Sequence, residues 1–183
     1  GVIHITLQDT PIFSHAYGLA NRSENLPNRL NTRFGIASGG KIFTASAICQ
    51  LAHAGLLKLD QPFTELFPGL LPNLDVAITV EKLLTHTSGI PDYFDEETEA
   101  DYEDCWRQTP VYQMRSAQDF IPLIREKSMK FTPGERFGYS NMGFVLLGLV
   151  IEKVSGKGFQ EYVEEKIFGP AWMRSSGYFA SDR

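Results

Sequence analysis

Cysteine is nearly missing from this chain. Cys49 and Cys105 are the only two in 183 residues. Two thiols with no C-x-x-C spacing exclude a disulfide framework. Cys49 falls in an apolar helical pattern, which reads as a buried free thiol. Basic charge is also short: 17 Lys and Arg stand against 22 Asp and Glu, for a net charge of -5. A nucleic-acid surface would need clustered Lys and Arg, so no nucleic-acid partner is expected. No apolar run approaches the ~20 residues of a membrane helix. The longest, residues 142–151, is half that length. Repeats and low-complexity linkers are missing too. The chain opens at "GVIHITL" without a Met. It therefore reads as cut at the front, with any leader already gone, and the compartment stays open.

What is present suits a folded protein. The chain is 43% hydrophobic and 12% aromatic, enough for a real core. Its length fits one domain, or two small lobes around a shared site. Residues 1–18 read as a hairpin, with strands over 2–7 and 12–17 and a turn over 8–11. "TRFGIAS" (32–38) reads as a third extended piece. From Ser38 the period becomes helical: Ile42, Ala45, Ile48, Cys49 and Ala52 recur at that spacing, and Gly55 ends the run. Thr79 can cap a short helix through Leu84. Ser116 and Asp119 have capping-box spacing, with Pro122 awkwardly early in the helix that follows. "MGFVLLGLVIEKVSG" is an apolar helix that Gly156 ends. "FQEYVEEKIFGP" is an amphipathic helix stopped by Gly169 and Pro170. Strands come first and helices follow without βαβ alternation, so the class is α+β.

Three stretches could carry chemistry. Ser38 and Lys41 stand three residues apart at a helix start, on one face. There the Lys amine can reach the Ser hydroxyl. The helix dipole disfavours a protonated Lys and favours an oxyanion, and the Ser38 N–H is free to donate. About one S-x-x-K is expected by chance in a chain this long, and Ser is a common helix cap. Nucleophile and cap both stay open on spacing alone. Tyr139-Ser140-Asn141 precedes the apolar helix. Tyr139 is either a proton shuttle or a core aromatic. Asn141 either holds a substrate amide and Lys41 together or caps the helix. His86 and Ser88 in "LLTHTSGIPDY" read as a structural His and a tight Ser-Gly turn rather than a hydrolase pair. His4, His15 and His53 sit in strand or helix contexts. No spacing among the four resembles a metal site, and no cofactor is expected.

"DYFDEETEADYEDCW" holds eight carboxylates: Asp92, Asp95, Glu96, Glu97, Glu99, Asp101, Glu103 and Asp104. Such a run reads first as a solvated loop. The alternative is a lid beside the site that disfavours anionic substrates. Tyr93, Phe94, Tyr102 and Trp106 give it aromatic surface to pack.

"FGIASGGKIFTA", "LLTHTSGIPDY", "FTPGERFGYSNMGFVLLGLVIEKVSG" and "HAYGLANRS" together resemble the serine β-lactamase and penicillin-binding protein superfamily. The branch is that of class C β-lactamases, D-Ala-D-Ala carboxypeptidases and related esterases. The resemblance runs over residues 1–180 in the family's order. It implies a β-lactamase/transpeptidase-like fold: residues 1–37 give N-terminal strands of the sheet, and residues 38–183 a mainly helical region with the nucleophile helix and Y-x-N motif. It implies an acyl-enzyme mechanism on a β-lactam, D-Ala-D-Ala-type peptide or ester. Ser38 would attack, Lys41 and Tyr139 would move the proton, and Asn141 would orient the acyl amide. Tyr139 stands where class A enzymes have a Ser, which points away from class A. A periplasmic or secreted location goes with the resemblance.

Two departures qualify this expectation. The family's third motif, a Lys or His, a small residue and Gly, lies on a later strand, and no K-T-G, K-S-G or H-x-G follows Tyr139. The reading is therefore a chain truncated at its C-terminus, without the terminal strands and helix and without half of the oxyanion hole. It would self-associate or need the missing segment to complete its sheet. The alternative is a silent binding or scaffold protein, or an inactive fragment. Second, Gly39 and Gly40 lie inside S-x-x-K, each costing about 1 kcal/mol against Ala in a helix.

Overall fold

Alternating β-branched and polar residues fold the N-terminus into a hairpin. β1 (Val2–Leu7) runs antiparallel to β2 (Thr10–Ala16), with Val2 opposite Ala16 and Ile5 opposite Phe13. Gln8 and Asp9 both take positive φ, 47° and 64°, which is the two-residue turn whose twist suits a strand pair. The turn is thus shorter than expected, and Thr10 and Pro11 belong to β2. The register slips between Ile5 and Thr6, next to Pro11, where a missing N–H costs least. β3 (Leu19–Asn21) and β4 (Leu26–Pro27) form a second small antiparallel pair. Residues 32–36, expected as a third extended piece, make no strand. Strand formation needs a partner ladder, and no described strand pairs with this segment.

This computed structural model describes residues 1–95, 101–103 and 105–179. Its contacts divide the chain into two units, Gly1–Ala37 and Ser38–Arg183.

The second unit is helical. A single 3-10 turn, Ala37–Gly40, leads into α1 (Lys41–His53). Then come α2 (Phe63–Leu66), α3 (Val80–Leu84), α4 (Cys105–Gln108) and α5 (Ile121–Ile124). The long α6 (Asn141–Ser155) follows, then α7 (Phe159–Val163) and a π-helical turn, Glu164–Phe168. Met142, Leu146, Leu147, Leu149, Val150 and Ile151 of α6 are all buried. A helix apolar on nearly every side belongs at the centre of its unit, and α1, α3 and α7 pack around it. Each fully buried Leu or Ile contributes about 1.5–3 kcal/mol.

α1 faces α6 through Thr44, Ala47, Ile48 and Leu51, the i, i+3, i+4, i+7 stripe. Ile42 is 63% exposed, and Cys49 is an exposed free thiol rather than a buried one. The apolar residues of this helix permit two stripes offset by about one residue, or 100°. The core selects the one that excludes Cys49.

Helix ends follow local chemistry. Thr79 Oγ1 accepts from the Lys82 N–H at 3.3 Å and opens α3. Gly156 closes α6 at φ 70°, donating its N–H to the Glu152 carbonyl at 3.0 Å. The Asp119 carboxylate accepts from the Ser116 N–H at 2.7 Å. The helix expected beyond it is broken: a 3-10 turn, Ala117–Phe120, precedes the four-residue α5, where Pro122 sits in the first turn. Tyr93, Trp106 and Phe120 pack as one aromatic group, with ring centroids 5.3–6.4 Å apart. Phe94 and Tyr102 meet edge to face at 5.0 Å.

Candidate active site

Ala37 takes φ 45°, left-handed for a residue with a Cβ. Such strain tends to gather at functional positions. It sets Ser38 on the 3-10 turn, exposed, with Lys41 three residues on as the first residue of α1. Lys41 Nζ donates to Ser38 Oγ at 2.9 Å and to Asn141 Oδ1 at 2.8 Å. Ser38 Oγ is 2.6 Å from the Tyr139 hydroxyl. The Lys41 ammonium also lies over the Tyr139 ring at 4.9 Å and the Phe144 ring at 5.6 Å, as cation–π attraction favours. The four residues singled out from sequence, Ser38, Lys41, Tyr139 and Asn141, therefore form one hydrogen-bonded cluster across about 100 residues of chain.

The start of α6 supplies two of them. Ser140, not Asn141, is its cap: Ser140 Oγ accepts from the Gly143 N–H at 3.1 Å. Asn141 is then the first helical residue, and its side chain goes to Lys41.

The 86–92 loop lies directly behind this helix start. His86 Nδ1 accepts from the Ser140 N–H at 3.1 Å. That bond assigns the imidazole hydrogen to Nε2 in the neutral ring. The ring packs on Tyr139 at 4.6 Å and Phe144 at 5.1 Å. Burial pushes the His86 pKa down, and the positive charge of Lys41 pushes it further the same way.

Asp92 corrects the sequence reading. The acidic run reads as solvated, yet Asp92 is 4% exposed. Its carboxylate accepts the Asn141 N–H, the Met142 N–H at 3.3 Å and its neighbour Tyr93's N–H at 2.8 Å. Burial raises its pKa, while these donors pull it back down. Asp95 is paired with Lys130 at 2.8 Å. Asp101 and Glu103 are exposed. Glu96, Glu97, Glu99 and Asp104 lie outside the described residues, and the lid reading with them.

The loop is braced from the other side. The His86, Thr87 and Gly89 carbonyls accept the N–H groups of Gly138, Gly134 and Lys130, each at 2.8 Å. Gly89 needs to be glycine twice over. Its φ is 70°, and a Cβ there would stand 2.1 Å from the Phe131 carbonyl oxygen. Among the described residues, no group of three or more His, Cys, Asp or Glu could hold a metal ion.

Chemically, the cluster offers a hydroxyl oxygen with a phenol and an amine on either side of it. That arrangement suits deprotonating the hydroxyl as it attacks a carbonyl. The β-lactamase family model matches the chain over residues 1–183. The chain belongs to the β-lactamase family. It is 31% identical to a penicillin-binding protein of Bacillus subtilis (strain 168), over 90% of this chain and 35% of that protein. It is 28% identical to an esterase of Burkholderia gladioli, over 93% of this chain and 45% of the relative. A solved penicillin-binding protein from Bacillus halodurans superposes with a TM-score of 0.90 at 52% identity, covering all of this chain and 54% of that one. The fold is thus of the β-lactamase/transpeptidase kind, and the chain spans between a third and about half of the length of these similar proteins.

Proposed function

We propose that this β-lactamase family chain carries the nucleophile half of an acyl-transferring serine hydrolase. The observation that supports it best is Ser38 Oγ held 2.6 Å from Tyr139 Oη and 2.9 Å from Lys41 Nζ. Ser38 Oγ attacks the carbonyl of a β-lactam, a D-Ala-D-Ala-type peptide or an ester. Its proton passes to whichever group within reach is deprotonated, Lys41 as the free amine or Tyr139 as the phenolate. The new Ser–acyl bond forms as the C–N or C–O bond of the substrate breaks, and the proton goes to the leaving group. Water then attacks the acyl-enzyme by the same route in reverse. Asn141 keeps Lys41 in place through Oδ1, and its Nδ2 donor suits the amide carbonyl of an acyl side chain. Relatives that include a penicillin-binding protein and an esterase make this range of carbonyl substrates the natural one to test.

The test is burst kinetics with p-nitrophenyl acetate. An acyl-enzyme releases one equivalent of p-nitrophenolate per chain before slower turnover. The expected result is a burst in the wild type and none in Ser38→Ala. A burst that survives in Ser38→Ala overturns the assignment.

A further inference from the structure

We propose that His86 and Asp92 are positioning residues for acyl transfer, together gripping Tyr139 and Asn141 in register with Ser38 and Lys41. The proposal rests on the serine-hydrolase reading above. Neither residue touches Ser38 or Lys41 by hydrogen bond. Both act through the backbone of the Tyr139-Ser140-Asn141 stretch.

The observation is that four consecutive amides at the start of α6 are all taken by side chains. The Ser140 N–H goes to His86, those of Asn141 and Met142 to Asp92, and that of Gly143 to Ser140 Oγ. An ordinary helix start needs one such cap, and Ser140 already provides it. The added partners come from a single loop, and one of them is a buried carboxylate, a costly group to take out of water. Residues that only end a helix do not need this.

What the grip controls is the placement of two side chains. Asp92 holds the Asn141 backbone, and the Asn141 side chain meets Lys41 Nζ at 2.8 Å. His86 holds Ser140 and lies along the Tyr139 ring at 4.6 Å with a 31° tilt. The Tyr139 hydroxyl in turn meets Ser38 at 2.6 Å. Both ends of the stretch are therefore set by one loop, itself pinned by the Gly138, Gly134 and Lys130 amides and by Lys127 Nζ on the Asp92 carbonyl at 2.8 Å. Reacting groups displaced by about 1 Å lose on the order of 10²-fold in rate. Loosening this loop reaches the chemistry without touching it.

The experiment compares the full chain with Asp92→Asn and His86→Asn. A fluorophosphonate probe forms a Ser38 Oγ–P bond and expels fluoride, and its concentration dependence separates probe binding from the covalent step. Amide hydrogen exchange is followed over residues 140–142 and 146–151. The expected result is a covalent step about 10–100-fold slower in each variant with unchanged probe binding. Amides 140–142 exchange faster and 146–151 stay protected. A variant that reacts at the wild-type rate overturns the proposal. So does a slowed variant whose 146–151 amides also lose protection, because the residue then serves the fold alone. A wild type that forms no Ser38 adduct overturns the serine-hydrolase reading first, and the positioning role falls with it.

Discussion

The starts of α1 and α6 meet at the same cluster and are built in opposite ways. At α1 the cap position is Gly40, in helical geometry (φ -63°, ψ -21°), with no side-chain hydrogen bond to the first amides. Ser38 beside it is exposed. At α6 every one of the first four amides has a side-chain partner, and the cap residue Ser140 is buried. The difference is one of task. A helix start without a side-chain cap leaves its positive end open to an incoming negative charge. A saturated start can bind nothing, but it can hold side chains still. On the proposed reading, α1 offers the nucleophile and α6 is the bench that holds Tyr139 and Asn141 against it.

The comparison breaks most severely where the α6 bench is anchored. Gly89→Ala forces a Cβ against the Phe131 carbonyl at positive φ. Overpacking and left-handed strain together cost about 2–5 kcal/mol. Urea unfolding should show that loss. A neutral Gly89→Ala would mean that the 86–92 loop is not seated as described. Ser140→Ala removes the ordinary cap of α6 and should cost about 0.5–2 kcal/mol in the same assay.

Acid tests the His86 contact. Its pKa in the folded chain lies below the ordinary 6.5. As pH falls past that value the unfolded chain takes the proton first, so stability is full above 6.5 and is lost as pH falls through the folded value. Asp92 runs the other way: its contribution is full below the ordinary 3.8 and is lost as pH rises through its raised folded value. The melting temperature of wild type minus that of His86→Asn, followed from pH 8 to pH 5, isolates the His86 part. The difference should shrink on acidification. A constant difference would show that the ring does not accept the Ser140 N–H as a neutral imidazole. The smallest effect belongs to α1. Gly40 has helical dihedrals, and a Cβ there meets nothing within 4 Å. Gly40→Ala should therefore stabilise by about 0.4–1 kcal/mol, by restricting the unfolded chain. A loss instead would mean that the glycine itself is needed at this helix start.

The same contrast marks what was legible in the sequence. The α+β class follows from strands preceding helices without βαβ alternation, and the family from "SGGK", "HTSGIPDY" and "YSN" standing in order. The caps at Thr79 and Gly156 were legible because capping is local chemistry. Asp92 was not, because composition assigns a carboxylate among carboxylates to water, whereas burial is decided by the neighbours that the fold brings. Its only local signal was apolar flanking, with Ile90 and Pro91 before it and Tyr93 and Phe94 after it. Cys49 was misplaced by a helical register one residue out. Residues 32–36 were misread because strand character depends on a partner that no periodicity reveals.

On the proposed reading, Ser38 is poised by Lys41 and Tyr139 for attack on a carbonyl or its phosphorus mimic. The most direct measurement is peptide mapping by mass spectrometry after reaction of the chain with a fluorophosphonate. The expected result is one adduct, on the peptide containing Ser38, absent from Ser38→Ala and strongly slowed in Lys41→Ala. An adduct that persists in Ser38→Ala, or a Lys41→Ala chain that labels as fast as wild type, would contradict it.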